Sequence, residues 1–135
     1  MQNPPQATLA EPREIGENPP MRVIESPDEF YGNIRNGRPL VAVFHARWCG
    51  DCHYLRPSYP EIEARFSSEV DFVQVDIDDF PETARAHEVS GIPSFILFSS
   101  GREIFRLVNP RRKTKEEVTD FLEKGLALLP RSKEL

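Results

Sequence analysis

The run Leu40–Phe44 places five apolar residues in succession, and His45 continues the segment. A strand of alternating polarity can leave one face in water, but a strand apolar at successive positions must be covered on both faces. Helices are therefore needed above and below a sheet that contains Leu40–His45. The 135 residues suffice for one domain of this kind, and not for two full cores.

The neighbouring segments supply the helices. Ser26-Pro27-Asp28-Glu29 is a helix start, with Ser as N-cap, Pro in the first turn and acids near the positive end of the helix dipole. That helix should stop at Asn36-Gly37. Pro57 divides the segment from Cys49 to Phe66, which predicts a kinked helix with Ile62 and Phe66 on its apolar face. Met21–Ile24 and Val70–Asp76 read as strands, and Phe80–Glu88 as a short helix. Ser94–Phe98 and Glu103–Val108 flank Ser99-Ser100-Gly101-Arg102 as a hairpin. The last helix starts at Thr114 and carries Val118, Phe121, Leu122, Leu126 and Leu129 at helical spacing. The order is βαβαβαββα, an α/β class with a central mixed β-sheet flanked by helices: parallel at first, with an antiparallel terminal hairpin.

Residues 1–20 differ from the rest. Five of the 13 prolines lie there, with few apolar residues to offset the entropy of ordering the segment. It is expected to be a flexible N-terminal extension, with a compact domain over residues 21–135. Met1–Asn18 carries acids and no basic start followed by an apolar run, so no secretory leader is expected and a cytoplasmic location follows. No apolar stretch is long enough to span a bilayer. A net charge of −5 argues against a nucleic-acid binder. The charge is lopsided: residues 102–115 hold six bases and one acid, and residues 69–88 hold seven acids and one Arg. These are read as two solvated faces, with the Asn109–Lys113 turn a candidate for steering acidic partners.

Chemistry concentrates at Cys49-Gly50-Asp51-Cys52, which follows the buried strand and opens a helix. Unpaired amides and the dipole at a helix amino terminus favour a thiolate, and a second cysteine three residues on is close enough to form a small ring. Cys49 is the candidate nucleophile and Cys52 the thiol that resolves the mixed disulfide. Gly50 is expected to relieve crowding in the turn, and Asp51 to favour the helix start. Other readings of the pair are inert core cysteines, half of a metal site completed by His45, His53 or His87, or a cluster shared between subunits. No metal is assigned. Asp76, Asp78 and Asp79 lack the pattern of a calcium loop. His45 is read as a half-buried packing residue, with redox tuning as the alternative.

Phe44-His45-Ala46-Arg47-Trp48-Cys49-Gly50-Asp51-Cys52, then Pro57, then Gly91-Ile92-Pro93-Ser94 resembles the thioredoxin family over roughly residues 22–129. The active site resembles that of small bacterial thioredoxin-like proteins reading Trp-Cys-Gly-Asp-Cys. The resemblance implies a thioredoxin fold and a thiol–disulfide oxidoreductase that reduces protein disulfides through the Cys49–Cys52 couple. It implies that Trp48 contacts substrate and that Pro93 is a cis-proline. Trp48, Gly50, Gly91, Ile92 and Pro93 would then form an apolar groove around an exposed sulfur, with the Ile92 backbone pairing an extended substrate peptide. No cofactor beyond the disulfide is expected. The partners are disulfide-containing proteins and a reductase or low-molecular-weight thiol; no nucleic acid or membrane is expected, and a monomer is. A disulfide isomerase or oxidant, and a non-catalytic redox-sensing or chaperone module, are the alternatives.

Three features depart from the family pattern, at four positions. Asp51 stands where proline is usual, which opposes the Cys49 thiolate electrostatically. Val43 stands at the usual buried acid and Gln74 at the lysine that faces it, so Asp51 becomes the candidate proton relay for Cys52. Asn109 replaces a small glycine on the groove rim.

Overall fold

The computed structural model describes residues 21–130; the expected extension at residues 1–20 lies outside the described residues. The elements are β1 (Arg22–Val23), α1 (Pro27–Arg35), β2 (Leu40–His45), α2 (Gly50–Leu55), a 3₁₀ turn (Arg56–Ser58), α3 (Tyr59–Phe66), β3 (Asp71–Asp76), α4 (Pro81–Ala86), β4 (Ser94–Ser99), β5 (Arg102–Leu107) and α5 (Lys115–Ala127). Pro57 lies in the 3₁₀ turn, which joins α2 to α3 as the expected kink. The sheet order is β1-β3-β2-β4-β5. β1 and β2 run parallel to β3, whereas β4 runs antiparallel to β2 and β5. The mixed sheet expected from the element order is the one observed.

All six residues of β2 are buried, as its unbroken apolar run requires. Val41 and Val43 face a core formed with Leu55, Tyr59, Ile62, Phe66, Phe121 and Leu122 from α2, α3 and α5. Leu40, Ala42 and Phe44 face a second core with Phe30 and Ile34 of α1 and Ala84 of α4. Val70 and Phe72 share the first core while Val73 and Val75 share the second, so this segment too is covered on both faces. Burying each such leucine or phenylalanine contributes about 1.5–3 kcal/mol.

Local signals set the boundaries. The Ser26 hydroxyl accepts from the Glu29 amide at 3.1 Å to cap α1, and Gly37 follows the helix at a φ of +93°. Ser100 and Gly101 turn the β4–β5 hairpin at φ of 53° and 82°, and the Gly101 amide donates to the Ile34 carbonyl at 3.1 Å. Thr114 and Glu117 form a capping box: each side chain accepts from the other residue's backbone amide, at 3.1 and 2.9 Å. This box fixes the chain where the last turn enters α5, immediately after Lys113.

Candidate active site

The dithiol lies where β2 delivers the chain to the amino end of α2. Cys49 is itself the N-cap of α2: its Sγ accepts from the Cys52 amide at 3.2 Å. The sulfur therefore occupies the place that a serine or aspartate oxygen takes at an ordinary cap. Both cysteines are free thiols. Cys49 is 6% exposed and Cys52 is fully buried, so the groove does not present the exposed sulfur that the family resemblance implied. The attached strand and the Ile92 loop enclose it: Ala46, Cys49 and Cys52 pack with Ile77 and Ile92.

Burial pushes the Cys52 thiol up to about 12, and the adjacent Cys49 sulfur pushes the same way, with Arg56 and an Ala46 backbone contact opposing. Cys52 is thus a neutral thiol at pH 7. Tyr59, two helical turns further on, is buried, and its hydroxyl has no hydrogen-bond partner among the described residues. Burial raises its pKa, and Cys52, Arg56 and Cys49 all act on it electrostatically.

Pro93 follows a cis peptide bond at Ile92–Pro93, as the family pattern implied. The Cys49 thiol lies 3.9 Å from the Ile92 carbonyl, which brings the loop and the dithiol together. Gly91 is placed by a backbone approach from another element. A Cβ there would stand 2.4 Å from the Asn109 carbonyl oxygen and 2.5 Å from the Pro110 Cα. Asn109 and Pro110 therefore touch the back of the Pro93 loop, which accounts for the glycine by packing. Gly50 is different. Its backbone is helical, and a Cβ would meet nothing within 4 Å, so the turn itself does not require glycine there.

Trp48 is 67% exposed beside the dithiol, with its indole N–H donating to Asp78 Oδ2 at 2.7 Å. Arg47 reaches Asp76 at 3.1 Å and Asp79 at 3.3 Å. The acids that raised the question of a calcium loop thus hold the Arg47–Trp48 segment. His53, weighed as a metal ligand, has a positioning role instead. Arg56 donates to its Nδ1 at 3.0 Å, so its Nε2 carries the proton and donates to the Arg47 carbonyl at 2.7 Å. His45 is buried rather than half-buried and pairs across the sheet with Asp76, and neither of its ring nitrogens is hydrogen-bonded among the described residues. Desolvation lowers its pKa, partly opposed by Asp76 and reinforced by Arg56 and Arg47.

On the other side, Arg112 donates to Asp51 Oδ1 at 3.0 Å and lies over the Tyr54 ring at 4.2 Å. Asp51 is therefore engaged by the basic turn. Val43 and Gln74, the two departures from the usual acid and lysine, are direct partners across β2 and β3. Val43 is buried, and the Gln74 amide donates to the Met21 carbonyl at 3.0 Å, so the replaced pair leaves no unpaired charge at these two positions.

The Thioredoxin family model matches residues 22–124. The chain belongs to the thioredoxin family. It is 34% identical over 96 residues to thioredoxin H2-1 of Oryza sativa subsp. japonica, covering 70% of this chain and 69% of that protein. It is 32% identical over 107 residues to the thioredoxin of Staphylococcus aureus, covering 78% of this chain and all of the relative. Oxidised mitochondrial thioredoxin 3 of Saccharomyces cerevisiae superposes with a TM-score of 0.66 and 28% identity, over 81% of this chain and 95% of that one. The fold is the thioredoxin fold, and the protein is a thiol–disulfide oxidoreductase of the protein-disulfide reductase type. Family members act on disulfide-containing protein substrates and are reduced by a reductase.

Sequence reasoning missed Lys113. It belongs to the basic run read as a solvated face, yet it is 1% exposed. Its charge directed the reading outward; the capping box that follows and the close packing of Asn109–Pro110 on Gly91 turn it inward. Nothing in the spacing of Tyr59 marks its hydroxyl as one without a partner among the described residues.

Proposed function

We propose that this family member works as a reductant of protein disulfides, with Cys49 as the attacking sulfur and Cys52 as the resolving one. The observation that supports the assignment is the inequality of the two thiols. Cys49 caps α2 and accepts an amide hydrogen bond suited to a thiolate, whereas Cys52 is wholly buried and held neutral. The Cys49 thiolate attacks a substrate disulfide, one substrate sulfur leaves, and a mixed disulfide forms at Cys49. Cys52 then attacks Cys49, releases the second substrate sulfur as a thiol, and leaves Cys49–Cys52 oxidised.

Trp48, Gly50, Gly91, Ile92 and Pro93 form the substrate groove in this reading. An extended peptide pairs with the Ile92 backbone, and Gly50, with open space where a Cβ would be, leaves room over the sulfur. Asp51 docks the Asn109–Lys113 turn through Arg112, and this engagement weighs against its use as the relay for Cys52. The protein works as a cytoplasmic monomer whose redox carrier is the cysteine pair, reduced by a reductase or a small thiol. Among the described residues, no helix is long and apolar enough to cross a membrane.

Equilibrium titration of the pair against a thiol buffer tests the direction. A reduction potential near or below about −250 mV is expected, and one above about −200 mV would make the protein an isomerase or oxidant.

A further inference from the structure

Asp51 places a carboxylate where negative charge works against the chemistry of the attacking sulfur. Cys49 is the N-cap of α2, and its Sγ accepts from the Cys52 amide at 3.2 Å. The sulfur therefore sits on the same first turn that carries Asp51. A carboxylate two residues from the cap lies well inside the Debye length of about 10 Å and disfavours the Cys49 thiolate. The same acid suits the helix start, because it faces the positive end of the dipole. Left alone, it would offset part of the field on which the sulfur depends.

It is not left alone. Arg112 Nε donates to Asp51 Oδ1 at 3.0 Å from a position 61 residues away in the chain. The same guanidinium lies over the Tyr54 ring, 4.2 Å from its centroid. Asp51 and Tyr54 are three apart on α2 and share a face, so two contacts to one helix hold the Arg112 side chain. Its backbone is held as well. Asn109 and Pro110 pack on Gly91, the Lys113 Nζ donates to the Asn109 carbonyl at 2.5 Å, and the Thr114–Glu117 box follows at once. The neighbouring bases point elsewhere: Arg111 stands 3.9 Å from Glu117, and Lys113 bonds within the turn. A planar guanidinium held by Nε–H and by a stacked face is in place before any substrate arrives.

We propose that Arg112 is a positioning residue for the attacking thiol: by bonding Asp51 it offsets the charge of that carboxylate and leaves the amino end of α2 free to stabilise the Cys49 thiolate. The inference rests on the reading of Cys49 as the attacking cysteine. Arg112 acts through Asp51 and takes no part in proton or electron transfer. In the step it supports, the Cys49 thiol releases its proton to solvent, and its sulfur forms the bond to one substrate sulfur. The other substrate sulfur leaves with the electron pair of the broken S–S bond and takes up a proton. The Asp51 and Arg112 side chains are 34% and 55% exposed, so the effect is modest and sensitive to salt.

Alkylation of the reduced full chain by iodoacetamide at mildly acidic pH follows the Cys49 thiolate, and this uncharged reagent is not steered by the charges being changed. Arg112→Gln is expected to slow alkylation about threefold at low salt. The double variant Asp51→Asn/Arg112→Gln should match Asp51→Asn to within about 1.5-fold, because the deficit disappears once the carboxylate is gone. The Arg112→Gln deficit should also shrink to within about 1.5-fold of the parent at high salt. An Arg112→Gln variant as fast as the parent at low salt would overturn the proposal. So would slowing by one constant factor with and without Asp51, or at low and high salt alike, which is what a turn that had merely lost its packing would show. Peptide mapping of the label controls the underlying reading: a label on Cys52 rather than Cys49 removes Cys49 as the attacking sulfur, whatever the Arg112 variants do.

Discussion

The two walls beside the dithiol are built on different physics. On one side, the largely exposed Arg47 and Trp48 bond directly to Asp76, Asp78 and Asp79 at and just beyond the end of β3. On the other, the Asn109–Lys113 turn packs backbone to backbone against Gly91 and buries a lysine. Charges in the first wall are paired and screened, so they orient a surface without much effect on stability. The charge buried in the second wall is weakly screened and is held by the Asn109 carbonyl. The first wall is held by exposed polar contacts, and the second by close packing against the Pro93 loop.

The interior between the walls should show the largest effect, in alkali. Cys52 in the folded protein titrates near 12 against an ordinary 9.0, and Tyr59 is also raised. Above pH 9 the unfolded chain loses protons that the folded chain keeps, so folding stability falls as the pH rises. The Cys52 contribution has a limiting slope of about 1.4 kcal/mol per pH unit between those values. Chemical denaturation between pH 8 and roughly pH 11 should show the reduced protein losing stability more steeply than the oxidised one, which has no free thiol to titrate. Parallel profiles would contradict the burial of Cys52.

Gly91→Ala comes next. The added Cβ meets backbone atoms of Asn109 and Pro110, and the turn must move, at a cost of about 2 kcal/mol in urea denaturation. Gly50→Ala, with open space at the Cβ, should leave stability within about 0.5 kcal/mol while slowing reduction of a protein substrate. Equal losses at the two glycines would erase the distinction between packing and access. Arg112→Ala removes a half-exposed ion pair and the contact with Tyr54, and should cost no more than about 1 kcal/mol. The smallest effect on stability is expected for Asp78→Asn, which should keep the melting temperature and alter Trp48 fluorescence. An unchanged emission spectrum would remove Asp78 from the Trp48 site.

Much of this site was legible in the sequence because its signals are local. The apolar run of β2, Pro57, the Ser26 and Thr114 caps and the Ser100-Gly101 turn each act through a few neighbouring residues, and each lies where it was expected. Cys49 at a helix start follows from the same logic. The inward turn of Lys113 depends on long-range contacts between Gly91 and Asn109 and between Asp51 and Arg112, separated by many residues in the chain. No periodicity encodes such contacts. The exposure expected of the Cys49 sulfur failed for the same reason, because Ile77 and Ile92 pack against it from other parts of the chain.

Division of labour between the two thiols is tested most directly by trapping. Reduced Cys52→Ser and Cys49→Ser variants would each be mixed with a disulfide-bonded protein substrate and resolved by intact mass after acid quench. Cys52→Ser should accumulate a covalent adduct mapped to Cys49, and Cys49→Ser should form almost none. Equal adducts in both variants, or an adduct confined to Cys52, would contradict the account.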